Sequence, residues 1–123
     1  MNWLKDWRDA RRRRRLESKA PSQIFSEYFS SNKWGDDESA SGKGSNLAST
    51  EGLRTMLPEI LRDLGARSML DVPCGDFHWM SHVDLAGVSY VGGDIVPALI
   101  ESNRARHPRD GVTFEVIDLI SGD

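Results

Sequence analysis

Cysteine is nearly absent from this chain, and long apolar runs are missing altogether. The 123 residues contain one cysteine, Cys74, which excludes an internal disulfide and agrees with a reducing compartment. No apolar run approaches the roughly 20 residues that a membrane helix needs. The N-terminus is charged from Lys5 onward and lacks the apolar core of a signal peptide. These absences predict a cytoplasmic protein without a transmembrane segment.

Two kinds of ligand site are excluded by spacing. The three histidines, His78, His82 and His107, have no companions at the spacing of zinc ligands, so no metal is expected. The stretch Ser41 to Ser45 (SGKGS) lacks the full spacing of a phosphate-binding loop, and no strand is predicted before it.

Charge is distributed unevenly along the chain. Residues 1–19 carry eight Lys and Arg against three acidic residues, whereas the remainder carries eight basic and sixteen acidic side chains. A basic arm therefore precedes an acidic body. The run Arg11–Arg15 could contact nucleic acid or an anionic membrane, although a solvated helix end or disordered arm is the commoner origin of such runs.

The sequence of residues 1–46 predicts two helices followed by a loop. Trp3, Trp7 and Ala10 at helical spacing predict a first helix with a basic end, and Pro21 opens a second. Residues 30–46 are rich in Ser, Gly and Asp, which predicts a loop. This loop is interpreted either as a lid over a cofactor, anchored by Trp34, or as a plain linker.

Residues 47–123 alternate between helical and strand patterns. A helix is predicted from Leu47 to Gly65, with a kink or a break at Pro58. Strands are predicted at 68–72, 88–94 and 112–117, with helices at 77–83 and from Pro97 to near 107. Alternation of this kind predicts a parallel sheet. The expected fold is α/β, the β-α-β-α-β first half of a Rossmann-like doubly wound sheet behind a helical extension.

Each predicted strand has an acidic residue at or near its carboxyl end: Asp71, Asp94 and Asp118. Ligands of open parallel sheets bind beyond the carboxyl ends of the strands. Asp94 lies nineteen residues after Gly75, close to the spacing of a carboxylate that hydrogen-bonds ribose hydroxyls after a glycine turn. The alternative for Asp94 is a helix cap before Pro97.

The turn after the first strand favours a cofactor without phosphates. A pyrophosphate needs a G-x-G-x-x-G turn, but Pro73 replaces the first glycine and offers no N–H, and His78 stands at the last position. Asp76 would add negative charge beside the phosphates. S-adenosylmethionine, which has a sugar and no phosphate, fits such an acidic turn better than NAD or FAD.

Three motifs resemble those of class I S-adenosylmethionine-dependent methyltransferases. Residues 70–77 (LDVPCGDF) are similar to the first motif in a bacterial D-x-P-C-G-D-F-x-W-M variant. Residues 90–95 (YVGGDI) and 114–119 (FEVIDL) are similar to the second and third motifs, and residues 32–35 (NKWG) to the upstream lead. The resemblance covers roughly residues 24–120. It implies methyl transfer from S-adenosylmethionine to an acceptor.

The resemblance also implies roles for individual residues. Gly75, in the turn with Pro73, would let the backbone approach the methionine part of the cofactor, and Asp71 would act on its amino group. Asp94 would hold the ribose hydroxyls, and Ile95 would pack on adenine. Asp118 would accept from the adenine amino group, and the Leu119 N–H would meet a ring nitrogen. The cofactor-binding residues expected are Asp71, Pro73, Gly75, Asp94, Ile95, Asp118, Leu119 and Trp34.

No catalytic residue is predicted. In this fold the general base and the acceptor pocket come from the fourth strand onward, a region absent from the 123 residues. The chain is therefore expected to be a fragment, inactive alone, weakly stable or self-associating through an unfinished sheet edge. Cys74 is interpreted as a packed residue rather than a nucleophile, and Trp79 and Met80 as core.

Two functional alternatives remain beside the enzyme. One is a non-catalytic module with a methyltransferase-like fold, and the other is a basic-arm RNA-binding protein.

Overall fold

The computed structural model describes residues 3–31, 37–85 and 87–121. Helix α1 (Trp3–Glu17) and helix α2 (Pro21–Ser30) form the N-terminal extension, as predicted. Pro21 occupies the first turn of α2, where its missing N–H is not needed. Helix α1 exposes every side chain from Lys5 to Arg14. Across the described residues, no helix has the length and apolar content needed to cross a bilayer.

Helix α3 (Leu47–Asp63) begins at Asn46, whose side chain accepts a hydrogen bond from the Ser49 N–H at 2.8 Å. The helix runs through Pro58 as a single element, so the break that the proline predicted is absent. Leu57 and Leu61 flank the proline and both pack against the core. Their packing holds the two turns in register despite the lost backbone hydrogen bond.

The sheet consists of three parallel strands, β1 (Ser68–Asp71), β2 (Ser89–Asp94) and β3 (Val112–Val116), in the order β1-β2-β3. Helix α4 (Pro97–Arg106) connects β2 to β3. With four helices in the described residues, the fold is α/β and compatible with half of a Rossmann-like sheet. The order places β2 in the middle, so its end lies between those of its two neighbours.

The connection from β1 to β2 is not the helix that the sequence predicted. Among the described residues between the two strands, the one helical segment is a 3₁₀ turn at Met80–His82, and the chain becomes extended at Val83. Phe77 has a left-handed backbone with φ of 59°, a conformation that does not start a right-handed helix. Its ring is almost fully buried. Burial of this ring offsets the strain of the turn.

The core lies on one face of the sheet and is centred on aromatic rings. Phe77 lies 5.2 Å from Tyr90 and 5.1 Å from Phe114, measured between ring centroids. The buried cluster consists of Cys74, Phe77, Met80, Val83, Leu85, Tyr90, Ile100 and Phe114. The prediction that Met80 belongs to the core is confirmed. Cys74 and Phe77 belong to this cluster, so the turn that follows β1 packs directly against the core.

Candidate functional site

A cavity of about 430 Å³ opens at the carboxyl end of the sheet. Its volume falls within the range of about 300–1,000 Å³ that is typical of small-molecule sites. The wall combines the turn after β1, the end of β2, the segment after β3, helix α2 and the loop before α3. It is lined by Phe25, Ala40, Ser41, Ser45, Asp71, Val72, Pro73, Cys74, Gly75, Trp79, Asp94, Ile95, Val96, Leu99, Ile117, Leu119 and Ile120.

Asp94 joins the turn after β1 to the start of α4. Its side chain is only 6% exposed. Oδ2 accepts a hydrogen bond from the Gly75 N–H at 3.1 Å, and Oδ1 accepts from the Val96 N–H at 3.1 Å. Val96 is the residue that caps α4, so Asp94 shapes the approach to the helix and also points at the glycine turn. The contact with the Val96 N–H agrees with the alternative that places Asp94 at the entry to α4, and the ribose contact stays a prediction.

Two further hydrogen bonds hold the Gly75 turn in place. The Cys74 N–H donates to the Gly93 carbonyl of β2 at 2.8 Å. Asn103, a buried residue of α4, donates from Nδ2 to the Gly75 carbonyl at 2.8 Å. The peptide bond between Val72 and Pro73 is cis. Loss of the Asn103 amide would leave this partly buried carbonyl with the weak Cys74 S–H donor alone, 3.4 Å away, at a cost of about 0.5–1.5 kcal/mol.

The loop before α3 is seated on the same turn. The Ser39 hydroxyl and the Ala40 N–H both donate to Oδ2 of Asp76, at 2.8 Å and 2.9 Å. In return, the Asp76 N–H donates to the Ser41 hydroxyl at 2.9 Å. We call this segment, Ser39 to Ser41, the clasp. Ala40 and Ser41 also line the cavity, so the clasp forms one of its walls.

Asp71 lies at the end of β1 and accepts a hydrogen bond from the Tyr90 hydroxyl at 2.7 Å. Burial raises the pKa of the Asp71 carboxyl, the Tyr90 hydrogen bond opposes this shift, and the charge of Asp94 adds to it. Burial and the Asp71 carboxylate together raise the pKa of the Tyr90 hydroxyl. Asp71 therefore offers the cavity a carboxylate whose ionised form a cationic ligand would stabilise.

Cys74 lines the cavity and is buried. Burial raises the pKa of its thiol to about 12, and the charges of Asp94 and Asp71 add to the shift. At neutral pH the sulfur is therefore protonated and weakly nucleophilic. This environment suits a packing residue.

The other residues proposed from the sequence are placed as follows. Pro73, Ile95 and Leu119 line the cavity. Asp118 does not, because its Oδ1 accepts from the Ile120 and Ser121 N–H groups in the turn after β3. These backbone donors lower the pKa of Asp118. Trp34, the expected anchor of the lid, lies outside the described residues.

Several lining residues were not predicted from the sequence. Phe25 belongs to the apolar face of α2, but nothing in the pattern says that this face meets a ligand cavity. Leu99 lines the cavity from the buried side of α4, and Asn103, on the same side of the helix, contacts the Gly75 turn without lining the cavity. Asn103 could have been singled out as a polar residue three positions after buried Ile100. Trp79, predicted as core, both packs against the core and lines the cavity.

A second, polar cavity of about 270 Å³ shares Ala40 with the first and is also lined by Asp76. His78 Nε2 lies 3.4 Å from Glu38 Oε1 within its wall. In the part of the chain that the structure describes, no group of three His, Cys, Asp or Glu side chains could hold a metal ion.

Comparison with protein-family models, with curated proteins and with solved structures gives no match for this chain. Its function must therefore be argued from the cavity.

Proposed function

We propose that the chain binds S-adenosylmethionine in the cavity at the carboxyl end of the sheet, as the cofactor-binding part of a methyltransferase. One observation carries the proposal. Asp71 and Asp94 line the cavity, and its described lining contains no lysine, arginine or histidine. A phosphate-bearing nucleotide would meet carboxylates without a compensating cation. S-adenosylmethionine combines an uncharged sugar with an ammonium and a sulfonium, so the same wall attracts it.

Asp94 is the residue best suited to the ribose. Each of its oxygens already accepts one backbone N–H, which fixes the orientation of the carboxylate. An ionised carboxylate has about four acceptor sites, so two remain for the pair of ribose hydroxyls. The spacing between Gly75 and Asp94, which suggested this role from the sequence, is matched by a direct hydrogen bond.

The two ends of the cofactor find different surroundings. Asp71 offers a negative charge to the methionine ammonium, near the turn at Gly75. Ile95, Ile117 and Leu119 offer apolar side chains to adenine. Because Asp118 orders the turn that carries Leu119, we assign it a supporting role instead of the adenine contact that the family resemblance implies.

The chemistry of methyl transfer makes modest demands on these residues. The bound cofactor supplies an electrophilic methyl group, which passes to a nucleophilic acceptor atom while the carbon–sulfur bond breaks and leaves a neutral thioether. The residues of this chain bind and orient the cofactor. Loss of the sulfonium charge weakens the attraction of Asp71 and Asp94 for the product.

Titration with S-adenosylhomocysteine tests the proposal. We expect wild-type protein to bind one equivalent and Asp94→Asn to bind about 100-fold more weakly, since one charged acceptor for two hydroxyls is lost. Asp110→Asn is the matched control, because Asp110 is exposed and lines a different cavity. Equal affinities of wild type and Asp94→Asn would contradict the proposal.

A second candidate function rests on helix α1. Its side chains from Lys5 to Arg14 are all exposed, and Arg11 lies over the ring of Trp7 at 5.4 Å. Trp7 itself is 46% exposed. Arginines beside an exposed aromatic ring suit single-stranded nucleic acid, because phosphates pair with guanidinium groups and bases stack on rings.

Fluorescence anisotropy with a labelled RNA oligonucleotide tests this second function. We expect affinity to fall steeply with salt and to be lost when Arg11–Arg14 are changed to Gln. Binding that is unaffected by these changes would exclude α1 as the contact surface. Binding to anionic vesicles and not to RNA would assign the helix to a membrane surface instead.

A further inference from the structure

The clasp is connected to the rest of the fold at both of its ends. On one side, Asp76 holds Ser39 and Ala40 through one carboxylate oxygen. On the other, the chain continues through the 3₁₀ turn Lys43–Ser45 into α3. The side chain of Glu38, just before the clasp, accepts from the Leu47 N–H at the start of α3, at 2.9 Å. The clasp is therefore an ordered wall of the cavity.

Asp76 is oriented for this contact by its own turn. Its Oδ1 accepts from the His78 N–H at 3.1 Å, which turns Oδ2 towards the clasp. The Ser39 side chain, 1% exposed, is enclosed where it meets this oxygen. The two donors lie 37 and 36 residues before Asp76 in sequence and share one of its carboxylate oxygens. Asp76 therefore anchors the clasp to the turn after β1.

Gly75 shows how closely the clasp approaches the turn. A Cβ atom built on Gly75 would lie 2.2 Å from the Ser41 Oγ and 3.0 Å from the Ser41 Cβ. The backbone of Gly75 also has φ of 60°, in the left-handed region. The space that a side chain would need at position 75 is thus filled by Ser41 of the same chain.

We propose that the clasp retains the ligand in the cavity, that Asp76 is the positioning residue that holds the clasp, and that the clasp itself requires glycine at position 75. The part of this inference that concerns a ligand rests on the proposed function. The part that concerns Gly75 does not. In the family resemblance, glycine at this position serves the approach of the cofactor, so the two explanations make different predictions.

Thermal unfolding of ligand-free protein separates these explanations. We compare wild type, Gly75→Ala, Ser41→Gly and the double variant. Gly75→Ala should lower Tm through both the left-handed strain and the collision with Ser41. Ser41→Gly removes the collision and leaves the strain, but it also removes the hydrogen bond from the Asp76 N–H, so the Tm loss of the double variant should be smaller than the sum of the two single losses. Purely additive losses would overturn the inference. Should Gly75→Ala fail to fold, recovery of a cooperative transition in the double variant still decides the point.

The rate of ligand release tests the retaining role. With the immobilised 123-residue protein and S-adenosylhomocysteine as the probe, Ser39→Ala should release the ligand about fivefold faster, the effect of one lost hydrogen bond. Its association rate should change by less than about twofold, since the clasp is a wall and not the recognition group. The control is Ser31→Ala, which removes an exposed side-chain hydrogen bond to the Glu27 carbonyl.

The outcomes distinguish the two proposals. Equal release rates for wild type, Ser39→Ala and Ser31→Ala would overturn the retaining role of the clasp. A slower association with unchanged release would also contradict it. Absence of any S-adenosylhomocysteine binding to wild type would contradict the proposed function, while the unfolding comparison would still show whether Ser41 is what excludes a side chain at position 75.

Discussion

At the scale of single residues, Asp71 combines a proposed binding role with a cost in stability. Its pKa is raised in the folded protein, so the native state binds the proton more tightly than the unfolded chain does. Its contribution to stability therefore decreases as pH rises from the unfolded pKa through the folded one. Near neutral pH the ionised carboxylate is retained at some expense of stability.

The substitution Asp71→Asn should raise Tm near pH 7, because it removes a buried charge while leaving an acceptor for the Tyr90 hydroxyl. At about pH 3, where Asp71 is largely protonated in both states, the difference should shrink towards zero. The same variant should bind S-adenosylhomocysteine more weakly. Differential scanning calorimetry at the two pH values checks the first part. A lower Tm at pH 7 would contradict it.

The thiol of Cys74 should resist modification in the folded protein. Its pKa of about 12 leaves very little thiolate at pH 8, and the side chain is buried. We expect reaction with a maleimide to be at least about 100-fold slower than in denaturant, where the thiol regains an ordinary pKa. Mass spectrometry over time measures both rates. Rapid labelling of native protein would show that the turn opens.

Sequence patterns predicted the residues around the cavity more accurately than the contacts that those residues make. Asp94 and Gly75 were paired by spacing, since the carboxyl end of a central strand and the first turn meet in any parallel sheet. The clasp could not be predicted, because it depends on a contact between Ser39 and Asp76 that no local pattern encodes. Asp118 was expected at the cavity, but its carboxylate is engaged by the turn that follows it.

At the scale of elements, the strongly periodic helices and the three strands were predictable, and the segment after Asp76 was not. Residues 77–83 have helical spacing of Trp79, Met80 and Val83, yet the core takes Phe77 in a left-handed conformation. Tertiary packing of one ring overrides the local pattern there. At Pro58, tertiary packing instead maintains a helix. Leu57 and Leu61 pack against the core, and the helix continues where the proline alone would interrupt it.

Helix α1 should be stabilised by salt. Five adjacent arginines, Arg11–Arg15, repel one another, and no described side chain of residues 5–14 is buried. Raising ionic strength from about 0.05 M to 0.5 M shortens the screening length and weakens this repulsion. We expect amide-exchange protection in α1 to rise several-fold, with α3 as the internal reference. Unchanged or reduced protection would show that ion pairs within the helix outweigh the repulsion.

At the scale of the whole molecule, one face of the sheet carries exposed apolar surface. Leu70 of β1 is 64% exposed, and its neighbour in register on β2 is Val91. Leu53, Met56 and Ile60 of α3, and Leu64 directly after it, add exposed apolar side chains. Surfaces of this kind favour association.

We expect the protein to associate in a concentration-dependent way, and the double variant Leu70→Thr and Met56→Lys to shift it towards monomer. Light scattering coupled to size-exclusion chromatography measures the mass across a range of loading concentrations. Glu115→Gln on the exposed edge strand β3 is a control that leaves the apolar surface intact. A compact monomer with a cooperative thermal transition at every concentration would contradict the expectation.

The central claim is that this cavity takes a nucleoside without phosphates, because two carboxylates line it without a described cation. Calorimetric titration of wild-type protein with S-adenosylhomocysteine and, in parallel, with ADP tests this claim most directly. We expect saturable one-to-one binding of S-adenosylhomocysteine and an affinity for ADP at least about tenfold lower, a difference of about 1.4 kcal/mol. ADP binding as tightly as S-adenosylhomocysteine, or more tightly, would contradict it.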